Sequence, residues 1–263
     1  MEAARRIDRP SAPELLHSYT AERRAAAKGL VDFDHRWSRV VGARAEDDAD
    51  SAMPRVQREF IANGEFTAGL TICYDQSLLT GATDHQALVT GLPIGKRFHS
   101  APVIRLADAK PMHLGHAVEA DGRWRLFAFA GQNDRGQAGG AIDALCAFLL
   151  EAEASPVRRF RRPGEDIDAV IDVRAVFQQH FRELDHITMP ALLRPAKGRY
   201  GLCDYEKVFC ADIKSGEDIF AMRGIDRKNG CMVIVRPDQY VAGVLPLHDH
   251  AAVADFFAGF LLP

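Results

Sequence analysis

Two apolar stretches, 124–130 and 170–177, stand on either side of a pattern with helical period. The first follows the turn signal Asp121-Gly122 and runs Trp124-Arg125-Leu126-Phe127-Ala128-Phe129-Ala130, which predicts a largely apolar strand. A glycine-rich loop spans 131–140. Ile142, Leu145, Cys146, Leu149 and Leu150 then share one face of a helix. The second stretch is rich in β-branched residues and predicts another strand. Two strands joined through a helix pair in parallel by a right-handed crossover, because the chain must return to the same end of the sheet before the second strand begins. That places the second half of the chain in the α/β class.

The remainder of that half fits the same sheet. Asn229-Gly230 is a turn signal, 231–235 a buried strand, Arg236-Pro237-Asp238-Gln239 a tight turn, and 240–245 an antiparallel return. Asp249 is placed to cap a closing helix, which puts Val253, Phe256, Phe257, Phe260 and Leu261 on one face. Strand–helix–strand followed by hairpin–helix is the thioredoxin layout, with a mixed sheet and helices on both faces. Residues 103–106 predict a short edge strand. Pro190 and Pro195 interrupt 178–222, where 205–210 fits a short extended or helical piece.

The first half is mainly helical. From Ser11 or Pro13, apolar residues Leu15, Leu16, Tyr19, Ala26, Leu30, Phe33, Trp37, Val40 and Val41 fall mostly on one helical face; Gly42 and Glu46-Asp47-Asp48 end it. At roughly 30 residues this helix is long for a globular protein. Its apolar face calls for a cover: the following segment, a second copy, or another chain. Residues 51–66 predict a second helix with Val56, Phe60 and Ile61 as its apolar side. Residues 67–102, punctuated by Pro93, Gly95 and Pro102, predict a connection with little regular structure. The expected organisation is a helical segment, 1–91, and a thioredoxin-like domain, 92–263.

Composition narrows function by exclusion. A net charge of -3 gives no electrostatic reason to bind nucleic acid or an anionic membrane, and no apolar run approaches a bilayer span. Residues 1–10 are charged and lack an apolar signal segment, so a cytoplasmic protein is expected. The five cysteines, Cys73, Cys146, Cys203, Cys210 and Cys231, include no Cys-x-x-Cys pair, which argues for reduced thiols, with Cys146 and Cys231 as small core residues.

Candidate sites each have a bland counterpart. Gly131, Gly136, Gly139 and Gly140 open a helix but lack the dinucleotide spacing. No cysteine precedes Cys146 at the helix start, so thiol–disulfide exchange there has no nucleophile. His248-Asp249-His250 and the pair His113 and His116 carry metal-binding groups, yet consecutive side chains diverge and the pair lacks a third ligand. Arg158-Arg159-x-Arg161-Arg162 follows a helix C-terminus, where cations are favoured. Tyr19, Phe33 and Trp37 are placed for burial against protein. Ser77, Ser100 and Ser215 have no Gly-x-Ser-x-Gly context. Cys203 and Cys210 are the pair that a redox sensor would use.

Several segments resemble one family in order and spacing. They are Tyr19-x-x-Glu22-Arg23, Asp32-Phe33-Asp34, Ser38-Arg39, Gly95, Arg97, Ala101-Pro102-Val103, His113-Leu114-Gly115, 124–129, Gly224-Ile225-Asp226 and Val235-Arg236-Pro237-Asp238-x-Tyr240. Together they are similar to the C-terminal part of the FAD-dependent aromatic hydroxylases, in the phenol 2-monooxygenase and 3-hydroxybenzoate 4-monooxygenase branch. The resemblance implies a full-length enzyme using FAD, NADPH and oxygen, with a thioredoxin-like C-terminal domain that contributes to dimerisation. It implies for this chain the end of the flavin-and-substrate part plus that last domain. No Gly-x-Gly-x-x-Gly or later Gly-Asp flavin segment is present, so no catalytic, cofactor-binding or metal residue is carried over. Gln239 stands where the family has glycine. The expected role is non-catalytic, in dimerisation as a homodimer or in association with a flavin-domain-bearing subunit. The alternatives are a fragment of an active phenol or hydroxybenzoate monooxygenase whose flavin domain lies elsewhere, and a thioredoxin-like ligand or redox sensor.

Overall fold

The computed structural model describes residues 12–42, 57–58, 60–61, 63–213, 215–216 and 218–263. The strands among the described residues are β1 (Pro102–Arg105), β2 (Lys110–His113), β3 (Trp124–Phe129), β4 (Ile171–Phe177), β5 (Ala196–Lys197), β6 (Leu202–Cys203), β7 (Val208–Ala211), β8 (Cys231–Val235) and β9 (Val241–Leu245). The α-helices among the described residues are α1 (Leu15–Gly42), α2 (Gly64–Thr67), α3 (Ala141–Glu151), α4 (Pro156–Arg159), α5 (Ile219–Met222) and α6 (His250–Ala258).

Seven strands make one sheet in the order β2-β1-β7-β4-β3-β8-β9. β3 and β4 are parallel, as the crossover through α3 requires, while β8 is antiparallel to β3 and β9 to β8. The run β4-β3-β8-β9, closed by α6, is the thioredoxin-like core. β7, β1 and β2 extend it beyond β4. β1 therefore lies between β7 and β2 rather than at the edge expected for 103–106. The true edge, β2, contains Pro111, which lacks an N–H and hides a strand from sequence patterning while being tolerated at a sheet margin.

β3 is buried on both faces because each face has its own core. Leu126 and Ala128 point into a cluster with Ile142, Leu145 and Leu149 of α3 and Val253 and Phe257 of α6. Phe127 and Phe129 point the other way, onto Val89, Leu92, Phe98 and Phe220. The second face is thus covered mainly by the irregular 89–101 segment and the single-turn α5, not by long helices. Trp124 is enclosed by Phe256, Phe257 and Phe260 at 5.8, 5.4 and 5.1 Å between ring centroids. Burying a large apolar side chain such as these contributes about 1.5–3 kcal/mol each.

α1 forms where expected and is tethered at its start: Ala12 N–H donates to Phe260 O at 3.0 Å, and Leu15 packs on the α3–α6 core. Its covered face runs through Leu15, Ser18, Glu22, Ala26, Gly29, Phe33, Trp37 and Val40. Leu16, Tyr19 and Leu30, expected on that face, are exposed instead. The following segment supplies part of the cover, with Phe66 at 4.7 Å from Phe33 and Phe60 at 6.4 Å from Trp37. Phe60 and Ile61 are themselves mostly exposed, contrary to their expected role as an apolar side; Val56 lies outside the described residues.

Candidate functional site

The two most distinctive sequence motifs meet at one point. Arg236 follows β8 and begins a turn in which Pro237 sets the backbone and Gln239 N–H donates to Arg236 O at 2.9 Å. Its guanidinium donates from Nη1 to Glu22 Oε1 at 2.6 Å and from Nη2 to Glu22 Oε2 at 2.9 Å, a fork-to-fork pair across 214 positions of chain. Nε and Nη2 also reach Asp238 Oδ1 and Oδ2 at 3.0 and 2.9 Å, and Nη1 reaches Thr80 Oγ1 at 3.3 Å. The side chain of Arg236 is 1% exposed. Burial alone would lower its pKa, but Glu22 and Asp238 more than offset that and hold it charged.

The guanidinium lies 4.9 Å from the centroid of Tyr74, whose ring stands 4.5 Å from Tyr240. Burial, with Tyr240 adding to it, pushes the Tyr74 phenol up to about 12. Glu22 of the first motif and Arg236, Asp238 and Tyr240 of the last thus form one buried joint that fixes α1 to the domain.

Gln239 completes the hairpin with φ of +72°, the left-handed conformation that favours glycine after a turn of this kind. Its side chain offsets the cost. Nε2 donates to Val118 O at 2.8 Å, and Oε1 accepts from Arg97 Nη2 at 2.7 Å.

A second polar feature gave no sequence signal beyond charges inside apolar strands. The parallel register sets Arg125 beside Asp172, and their side chains pair at 3.1 Å. Lys207 donates to Asp168 and Asp172, each at 2.6 Å. Arg174 pairs with Asp172 at 2.9 Å and Lys197 with Asp168 at 2.8 Å. Arg125, Asp172 and Lys207 are essentially fully buried. Burial raises the Asp168 pKa, but Lys207 and Lys197 overcome it and bring the group down to about 2. These groups neutralise one another and leave no free acid or base, so the cluster serves as a joint between β3, β4 and the start of β7.

The glycine-rich loop after β3 does not fit a flavin diphosphate. Asp134 already occupies the start of α3, accepting from Gly136 N–H and Ile142 N–H at 2.8 Å each, and a Cβ on Gly140 would lie 2.8 Å from Asp134 Oδ1. The amides that would hold a phosphate are engaged by an internal carboxylate.

The other candidates find structural roles. Asp249 caps α6 by accepting from Ala252 N–H at 3.1 Å, and His250 stacks on Phe148 at 4.9 Å. His113 and His116 are 6.0 Å apart between rings, and no three metal-ligating side chains cluster among the described residues. Arg158 donates to Glu151 O at the end of α3, the favourable place for a cation. Cys146 and Cys231 are core residues, as expected, and so is Cys210. Cys203 is half-buried and donates to Arg194 O at 3.3 Å. Phe33 and Trp37 pack against protein, while Tyr19 faces out.

The family model described as phenol hydroxylase, C-terminal dimerisation domain, matches residues 72–263. The chain belongs to that family. Among curated relatives, it is 52% identical over 95% of its length to a 3-hydroxybenzoate 4-monooxygenase of Comamonas testosteroni, and 33% identical over 95% to an FAD-dependent monooxygenase of Aspergillus terreus. It spans 40% and 42% of those two proteins. A solved thioredoxin domain of a thiol-disulfide oxidoreductase from Bacteroides vulgatus aligns over 63% of the chain and 99% of its own, with TM-score 0.36 and 10% identity. The Arg236 joint ties α1, which lies ahead of the region matched by the phenol hydroxylase family model, to that region. No described helix is long and apolar enough to cross a membrane.

Proposed function

We propose that the chain is a non-catalytic association module of an FAD-dependent aromatic hydroxylase, joining two copies or holding a subunit that carries the flavin domain. The observation that supports this best is α1. Glu22 and Arg236 lock its first turns to the domain, yet Leu16, Tyr19, Leu30 and Val31 remain 47%, 56%, 59% and 53% exposed. A firmly held helix with bare apolar residues is a surface for another polypeptide. No catalytic, cofactor or metal residue is assigned to the chain, and the division into 1–91 and 92–263 is part of the same proposal. A cytoplasmic setting is proposed with it. Sedimentation of the purified chain tests the idea: a dimer, or a complex with a co-expressed flavin-bearing part, is expected. A well-folded monomer that captures neither would overturn it.

The second reading, a piece of an active phenol or hydroxybenzoate monooxygenase, is favoured by the 52% identity to a protein named for that activity. FAD would supply the oxygen-activating chemistry and NADPH the electrons, both from outside the residues described. The isolated chain with FAD, NADPH and phenols should give no turnover, whereas turnover by it alone would assign the active site here.

A further inference from the structure

Arg223 is half-buried and held at both its backbone and its side chain. Its backbone is clamped by a neighbouring segment: Gly91 N–H donates to Arg223 O at 2.8 Å, Thr90 N–H donates to Gly224 O at 3.2 Å, and a Cβ on Gly91 would lie 2.7 Å from Arg223 Cα. The side chain extends to the 96–100 segment, where Nη2 donates to Ser100 O. Nε is buried with no hydrogen-bond partner, and no described carboxylate pairs with this guanidinium. Arg105, Arg125 and Arg236 each carry at least one carboxylate at 2.7 Å or closer.

Two more basic side chains belong to the segment that Arg223 reaches. His99 adjoins Ser100, and Lys96 is three positions earlier; all three side chains belong to half-buried residues. Burial, then the charges of Arg223 and Lys96, hold the His99 pKa below its ordinary value, against the exposed Glu65. Burial likewise lowers Arg223, with no acid acting in the opposite direction. A partly desolvated guanidinium without a counter-charge is costly, and proteins ordinarily pair it.

We propose that Arg223, Lys96 and His99 form a receptor for an oxyanion, a carboxylate or a phosphate group, supplied free in solution or by a side chain of an associating subunit. A guanidinium presents a planar fork to two oxygens, and an ammonium adds a compact second charge. The phosphate arm of the test does not depend on the association proposed above.

Thermal unfolding of the chain is measured in inorganic phosphate and in sodium chloride of equal ionic strength. Phosphate at about ten times its Kd should raise Tm by roughly 3–6 °C over chloride. Arg223→Gln should lose that rise. So should the double variant Lys96→Gln/His99→Gln, which leaves the Arg223 clamp untouched and serves if Arg223→Gln fails to fold. In a second arm, self-association is measured by sedimentation. A Kd weakened at least tenfold both by phosphate and by the variants assigns the oxyanion to a subunit carboxylate; a variant-sensitive phosphate effect with unchanged association assigns it to a free anion. The proposal is overturned if neither the phosphate effect nor the association differs between wild type and both variants.

Discussion

Glu22 and Arg236, 214 positions apart in the chain, face each other as a two-pronged ion pair at 2.6 and 2.9 Å in a nearly dry site. Removing one partner of a buried pair strands the other, which costs about 3–5 kcal/mol. Asp238 remains beside Arg236, so Glu22→Ala is predicted to cost about 3 kcal/mol, at the low end of that range. The loss should be local. Limited proteolysis is expected to cut within α1 of the variant before the sheet unfolds, and an unchanged cleavage pattern would refute the joint.

Gln239 holds a glycine-like conformation and makes side-chain hydrogen bonds to Val118 and Arg97. Gln239→Ala keeps the backbone strain and loses the bonds, with a predicted cost of about 1–2 kcal/mol. Gln239→Gly loses the same bonds but relieves the strain, recovering roughly 1 kcal/mol. Calorimetry should rank the Tm values with glycine above alanine; the reverse order would contradict the account of this turn.

Lys207 is the cation between Asp168 and Asp172. Lys207→Met leaves Asp172 with its arginines but without its closest counter-charge, and a loss of about 3 kcal/mol is predicted by chemical denaturation. A neutral result would mean that the cluster tolerates an unbalanced acid.

The same cluster sets acid sensitivity. The folded-state pKa of Asp168 lies near 2, below its ordinary value, because Lys207 and Lys197 outweigh the effect of burial. A lowered carboxylate pKa stabilises the fold above the unfolded value and loses that contribution as pH falls through the folded one. Stability should therefore drop between about pH 4 and pH 2, by about 2 kcal/mol from this group. Lys197→Met should raise the folded-state value toward the unfolded one, so that the drop becomes smaller and ends at higher pH; denaturant titrations across the window would show whether it does.

Thiol chemistry separates the cysteines by burial. Desolvation pushes Cys210 and Cys231 up to about 12 and raises Cys146 further still, whereas Cys73 is exposed. Iodoacetamide at pH 8 should modify Cys73 first and leave Cys146, Cys210 and Cys231 intact until denaturant is added. Early modification of Cys210, read by peptide mass mapping, would contradict this packing.

The parallel pair β3–β4, the β8–β9 hairpin and the capped α6 were legible because each carries its own period and punctuation. β7 was obscured: Val208-Phe209-Cys210-Ala211 is short, and the preceding Glu206-Lys207 suggests a surface, although Lys207 is buried by its acids. α1 was visible as a helix, but its true inner face includes Ser18, Glu22 and Gly29, which hydrophobic patterning places outside. The Arg236 joint was written in two motifs whose meeting only the tertiary fold reveals. The Arg125–Asp172 pairing depends on strand register, which the sequence left open.

Both margins of the large sheet resist growth. Along β9, Gly81 and Gly95 N–H groups already donate to Ala242 O and Val241 O, and Val241 N–H donates to Lys96 O. Along β2, Pro111 has no N–H to offer, and Lys110 places an exposed charge beside it. A strand arriving from another molecule finds neither side ready to receive it, so partners must approach helices or sheet faces, and runaway fibre-like stacking is disfavoured from the outset.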